Sequence, residues 1–300
     1  MYNTNRKGSI YELTLPHTWE GQTIQEILTD TWHLPKKMVH EWRMSKAVKV
    51  NGELYRWNQP LSKGDILQVP FFSNTKQAVH ASYIGEIDVL YEDDHLLVAN
   101  KPAGVKTHPN DQDENDTLLN GLALHVESNG EQCFIRHIHR LDENTSGAVL
   151  FAKHEAAYAL LSRLLEKRLI KRAYWAIVHG QLKNKEGVIK EAIGKDRHHP
   201  TRRRISPNGQ SAVTHYQLLK KDPSRNLSFI KCQLETGRTH QIRVHLSSIG
   251  HPLAGDLLYG GKPIVKRQAL HAKTIEIPHP FTGEQLVCEA PFTDDTFDFF

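Results

Sequence analysis

The chain has 300 residues, 39% hydrophobic and 24% charged, with a formal net charge of +4. That length holds one large or two ordinary domains with a proper core, and the composition excludes a disordered or fibrous chain. No apolar leader and no membrane-length apolar run occur, so secretion and spanning are not expected and a cytoplasmic location is.

Thr23 to His33 carries Ile24, Ile27 and Leu28 at helical spacing, with Trp32 continuing the stripe. Pro35 suits a first helical turn, which predicts a second helix from Pro35 to Met44. A strand over Ala47–Val50, an Asn51-Gly52 turn and a strand over Asp65–Pro70 complete a small independent unit, residues 1–72. The aperiodic, polar stretch that follows is read as a linker over 73–85. From residue 86 strands dominate: Ile87–Tyr91, His95–Ala99, Ala173–Val178, Val188–Ile193, Ala212–Leu219, Leu227–Leu234 and Thr274–Ile277. Helices are expected over Asp116–Glu127, along the stripe Ala157, Leu160, Leu161, Leu164 and Leu165, and from His240 to Ile249. Arg163, Lys167 and Lys171 fall at steps of four on the far side of that stripe. Strands outnumber helices without alternating with them, so residues 86–300 read as an α+β domain on a mixed, largely antiparallel sheet.

Three stretches carry chemistry. In His139-Arg140-Leu141-Asp142-Glu143-Asn144-Thr145-Ser146-Gly147 a carboxylate follows a basic residue and precedes a turn and an apolar run. That puts Asp142 on a loop at the mouth of a strand, where a rigid scaffold holds reactive groups. A plain surface turn, with Asp142 bonding its own backbone, fits the nonapeptide alone equally well. In Lys171–Gly180, period-2 alternation places Tyr174, Ala176 and Val178 on one face. The strand pattern alone favours a buried core tyrosine. In Leu234–Leu246, a glycine turn feeds a helix start rich in donors, Arg238, His240, Gln241 and Arg243, suited to a phosphate or a protein carboxylate.

Together these stretches resemble the RNA pseudouridine synthases of the large-subunit ribosomal RNA type (RluA-like). Their signatures read His-Arg-Leu-Asp-x-x-Thr-Ser-Gly, Arg-x-Tyr-x-Ala-x-Val-x-Gly and His-Gln-Ile-Arg. Lys101-Pro102-Ala103-Gly104 with His108-Pro109, and the C-terminal Leu270-His271-Ala272 and Ala290-Pro291, resemble further family segments, so the likeness runs from about 86 to 293. The first unit, with Lys63-Gly64-Asp65-Ile66, resembles the S4-type RNA-binding module, though Lys36-Lys37 stand where a Ser-Arg pair is usual.

The resemblance implies an isomerase that converts uridine to pseudouridine in structured RNA, ribosomal or transfer. Asp142 would be the catalytic carboxylate, Arg243 its ion-pair partner, and Tyr174 the platform for the uracil. The family's motif gives Arg140 the space vacated by a flipped base, since Arg stacks flat on bases. Lys101, in a loop beside the site, would contact the substrate, as would Arg238, His240 and Gln241. The tract with Arg202, Arg203 and Arg204, in a Pro-containing loop from Lys195, is expected to meet the RNA backbone; a solvated loop fits it as well. Gly255, Asp256 and Gly260-Gly261 read as turn architecture. No metal, no redox cofactor and no obligate protein partner are expected, and a monomer is.

Other classes find less support. Cys133, His137 and His139 lack a fourth ligand at zinc spacing. No dinucleotide or nucleoside triphosphate fingerprint occurs, nor a hydrolase nucleophile elbow. A non-catalytic, ribosome-associated RNA-binding protein is the alternative from another class; a base hydrolase using the same carboxylate is a third. Intact Asp142, Tyr174 and Arg243 argue against the non-catalytic reading.

Overall fold

A computed structural model describes residues 2–72, 79–111, 113–130 and 134–298. Part of the expected linker, residues 73–78, and Cys133 lie outside the described residues. The architecture is α+β. Its main sheet runs in the order Glu186–Ile189, Thr214–Asp222, Leu227–Leu234, Lys171–His179, Leu270–Pro278, Ser146–Ala152, Leu96–Lys101, Asp88–Glu92. Within that path the pairing of Leu270–Pro278 with Ser146–Ala152 is parallel, and the rest is antiparallel. Both of those middle strands sit deep in the sheet, so Ser146–Ala152 is buried on both faces and reads as a continuous apolar run.

Period-2 alternation sorts the core. Leu96, Val98, Ala148 and Leu150 face the helix Glu155–Glu166, while Leu97, Ala99, Val149 and Phe151 face the helix Leu118–Ser128. Tyr174, Ala176 and Val178 share the second face with Ile242 and Leu246 of the helix Gln241–Ser248. Each Val, Leu, Ile or Phe side chain among them contributes about 1.5–3 kcal/mol on leaving water. The amphipathic helix Glu155–Glu166 starts with His154 capping the Ala157 amide and stops before Lys167. Lys171 therefore belongs to a strand and not to the helical ridge that the steps of four imply.

The N-terminal unit forms its own sheet, in the order Asn3–Lys7, Ile10–Thr14, Ile66–Val69, Lys49–Val50, Glu53–Leu54. Its first two strands, absent from the elements expected above, are joined by the two-residue turn Gly8-Ser9, with Gly8 at a φ of +59°. The first helix is shorter than its apolar stripe, Ile24–Glu26, and widens into a π-helical turn over Ile27–Thr31. The unit packs on the first face of the main sheet through one aromatic group. Phe71 stacks on His154 at 5.1 Å and Phe281 on His95 at 4.2 Å. The His95 and His154 rings are joined, Nδ1 to Nε2, at 2.9 Å.

Two further elements differ from expectation. The strand expected over Val188–Ile193 is two, Glu186–Ile189 on the main sheet and Ile193–Lys195 in a separate hairpin with Arg203–Ile205. The basic tract thus belongs to a two-stranded arm and its tip. The arm's base packs Ile193 and Ile205 against Val244 and Tyr259.

Candidate active site

Asp142 sits on the tight turn before the strand Ser146–Ala152, where the Thr145 amide donates to its carbonyl at 3.0 Å. Gly147 closes that turn with a φ of +113°, and a Cβ there would stand 2.3 Å from the Ala272 carbonyl oxygen. The parallel pairing of Gly147 with Ala272 therefore requires glycine, which fixes where the loop leaves the sheet. Beneath the loop Lys101 is fully buried, and its Nζ donates to the carbonyls of Pro102, Val105 and Glu143 at 2.8, 2.5 and 2.7 Å. Burial pulls its pKa down to about 7. Arg267 braces the same loop, donating to the Asn144 carbonyl and the Ser146 hydroxyl while paired with Asp294.

Arg243 comes from the buried side of the helix Gln241–Ser248. Its Nη1 donates to Asp142 Oδ2 at 3.1 Å, while Nε and Nη2 grip both oxygens of Asp256 at 2.7 and 2.9 Å. Burial opposes its charge, but the Asp256 hydrogen bonds and the Asp142 carboxylate outweigh it and push the guanidinium pKa further up. Arg243 is thus a cation fixed between two carboxylates, one almost fully enclosed and one facing the cleft.

The cleft measures about 590 Å³, and Asp142, Tyr174 and Arg243 all line it. Tyr174 closes its floor, paired with Cys232 on one side and Ala272 on the other. Burial raises its phenol pKa, opposed by the Arg172 guanidinium beside it. Arg140 stands exposed on the rim and also lines a second hollow of about 300 Å³ that shares Leu141, Asp142, His240 and Arg243. The lining sets five arginines, Arg140, Arg168, Arg172, Arg238 and Arg243, against Asp142, Glu166 and Glu235, with Leu165, Ile242 and Leu270 among its apolar residues, so the cleft is basic and partly apolar.

The other sequence candidates are placed unevenly. His240 Nε2 lies 3.8 Å from Asp142 Oδ2. Arg238 is exposed on the cleft wall, its Nε donating to the Ser211 carbonyl at 3.1 Å. Gln241 is buried with its amide fully used: Oε1 accepts from Thr236 and the Arg238 amide, and Nε2 donates to Val213 and Thr214. Lys101, equally enclosed, offers no group to the cleft. Arg202 is paired with Asp196 at the arm's tip, the Arg203 amide donates inward to Tyr259, and Arg204 is exposed on the arm. Sequence reasoning gave no site role to Arg172, Asp256 or Tyr259. Asp256 could have been suspected as a lone acid in a glycine-rich turn, but its partner lies on another element. Among the described residues no group of three or more His, Cys, Asp or Glu is arranged to hold a metal.

A family model described as RNA pseudouridylate synthase matches residues 95–248, and one described as RluD ribosomal pseudouridine synthase N-terminal domain matches 11–67. A Bacillus subtilis (strain 168) protein named "Uncharacterized RNA pseudouridine synthase YhcT" is 46% identical over 97% of this chain and 96% of its own length. The "Ribosomal large subunit pseudouridine synthase D" of Nitrosomonas europaea is 38% identical over 95% of this chain and 85% of its own. Among solved structures, "Human RNA Pseudouridylate Synthase Domain Containing 1" aligns at a TM-score of 0.57 with 27% identity, covering 71% of this chain and 86% of that one.

Proposed function

We infer residue roles and substrate from one premise: the chain belongs to the RNA pseudouridine synthase family and is an isomerase converting uridine to pseudouridine in RNA. The reaction breaks the C1′–N1 bond, turns the uracil and joins C1′ to C5. Charge at the sugar then resembles an oxocarbenium ion, which a carboxylate held at C1′ stabilises. Asp142 is that carboxylate. With Oδ2 engaged by Arg243, Oδ1 is assigned to the ribose. Tyr174 supports the detached uracil, and its un-ionised phenol places a flat, apolar face under the ring. Arg140, on the rim, fills the space left by the flipped nucleotide, offsetting an unstacking cost of a few kcal/mol.

The exposed Arg202, Arg204 and Arg238 supply phosphate contacts, and His240 contributes at the sugar. Gln241 and Lys101 act from behind the surface, as ties that hold the helix start and the catalytic loop. The substrate is structured ribosomal RNA, which the names of the relatives favour over transfer RNA, and the site of action is the cytoplasm. Among the described residues no helix is long and apolar enough to cross a membrane. Residues 1–72 serve as the S4-like RNA-binding module and 86–300 as the catalytic domain, with the two family-model spans in support. The protein acts as a monomer.

The observation that carries this reading is the contact of Asp142 with Arg243 at 3.1 Å in the cleft that Tyr174 floors. Release of tritium from [5-³H]uridine-labelled large-subunit ribosomal RNA tests it. Isomerisation frees the label to water, a mere RNA binder frees none, and a hydrolase leaves it on free uracil. An Asp142→Asn protein that turns over at the parent rate would remove the assignment.

A further inference from the structure

Tyr259 follows the turn that supplies Asp256, in the short helical turn Leu257–Tyr259, and it is largely buried. Its hydroxyl meets two groups from different elements. The Arg203 backbone amide, from the hairpin arm, donates to Oη at 2.9 Å, and His240 Nδ1 lies 2.8 Å away. Its ring lies under the Arg243 guanidinium at 5.0 Å. His240 itself holds a left-handed backbone, φ +57°, at the start of the helix Gln241–Ser248, which turns its ring between Tyr259 and the cleft.

We propose that Tyr259 is a positioning residue: it fixes the tautomer of His240 so that Nε2 carries the proton and faces Asp142. A phenol has one hydrogen. With a lone pair of Oη already used by the Arg203 amide, donating that hydrogen to His240 Nδ1 satisfies both partners. The opposite arrangement, Nδ1–H donating to Oη, leaves the phenol hydrogen without an acceptor in an enclosed place, at a cost of about 1–3 kcal/mol. The hydrogen bond at one ring nitrogen decides the state of the other. Burial, set against the pull of Asp142, keeps His240 neutral by lowering its pKa.

The consequence is an N–H donor on Nε2, 3.8 Å from Asp142 Oδ2 and beyond hydrogen-bond reach of it. A ribose hydroxyl lying beside these two groups, not between them, meets a donor on the imidazole and an acceptor on the carboxylate. The same phenol joins the arm, through the Arg203 amide, to the reacting centre. This assignment rests on the pseudouridine synthase reading for its catalytic effect, though not for the tautomer.

Two measurements on the full chain test it. In ¹⁵N-histidine-labelled protein, the His240 signals, identified by their loss in H240Q, should show the Nε2–H tautomer, and Tyr259→Phe should turn them into a mixture. With [5-³H]uridine-labelled large-subunit ribosomal RNA, Tyr259→Phe should lower kcat about five- to tenfold with KM unchanged, the scale of one neutral hydrogen bond. H240Q, whose side-chain amide places an N–H near Nε2, should keep roughly tenfold more activity than H240N. An Nδ1–H tautomer in the parent, or no spectral change in Tyr259→Phe, overturns the assignment. Unchanged kcat in Tyr259→Phe overturns its role in catalysis. A parent protein that releases no tritium would instead sink the functional reading, with the tautomer still decided by the spectra.

Discussion

Arg243→Lys is the sharpest probe of the site. The guanidinium makes three charge-assisted contacts in fixed fork geometry, one to Asp142 and two to Asp256. An ammonium is a single point charge on a shorter reach and cannot span both carboxylates at hydrogen-bond distance. If it stays with the enclosed Asp256, Asp142 loses the guanidinium contact that aims it. If it swings to Asp142, a carboxylate only 2% exposed is left short of partners. Charge-assisted hydrogen bonds are worth about 1.5–3 kcal/mol each, so losing one or two contacts, with the ammonium recovering part of the loss, costs about 2–4 kcal/mol. Expressed in the barrier, that is a fall in kcat of about 30- to 1,000-fold. Single-turnover tritium release, with enzyme in saturating excess over RNA, reads the chemical step, and urea denaturation of the same protein reads the cost to folding. Retention of kcat within about threefold would show that charge alone, and not the fork, positions Asp142.

Asp256→Asn keeps the shape and removes the charge, leaving Arg243 enclosed with one anion; folding stability should drop by about 3 kcal/mol in urea titrations, and no loss would contradict the pairing. Lys101→Met should cost about 2–4 kcal/mol, because three carbonyls lose their shared donor, and should slow turnover by loosening the Asp142 loop; wild-type stability would refute the clamp. His95, under the N-terminal unit, has its pKa lowered from 6.5 to about 4 by burial, partly offset by Asp93. The folded state then binds fewer protons than the unfolded chain between those values, so stability present above about pH 6.5 is lost toward pH 4. His95 alone accounts for about 3 kcal/mol. Denaturation midpoints should therefore fall across that window, less steeply in His95→Asn, and a flat profile would count against the buried histidine contact.

What was legible in the sequence was local or periodic. The apolar alternation of the strands, the stripe on the helix Glu155–Glu166 and the donors around Arg243 are fixed by neighbours a few residues away. The motif around Asp142 owes its glycine to a close backbone approach, a constraint that acts at one position. Strand ends were less secure: Leu96–Lys101 runs on to the residue before Pro102 because the neighbouring strand continues to offer partners. The family motifs already implied that Arg243 pairs with Asp142; how distant segments close to bring such groups together was decided by the tertiary structure. Arg243 and Asp142 are 101 residues apart, and Arg267 reaches Ser146 across 121. That Asp256 pairs with Arg243, that Lys101 is turned inward, and that the Arg203 amide of the arm meets Tyr259 follow from no single segment. Composition and spacing record what one segment can form by itself; which lone charges meet in the interior is settled by how the sheet and helices close around them.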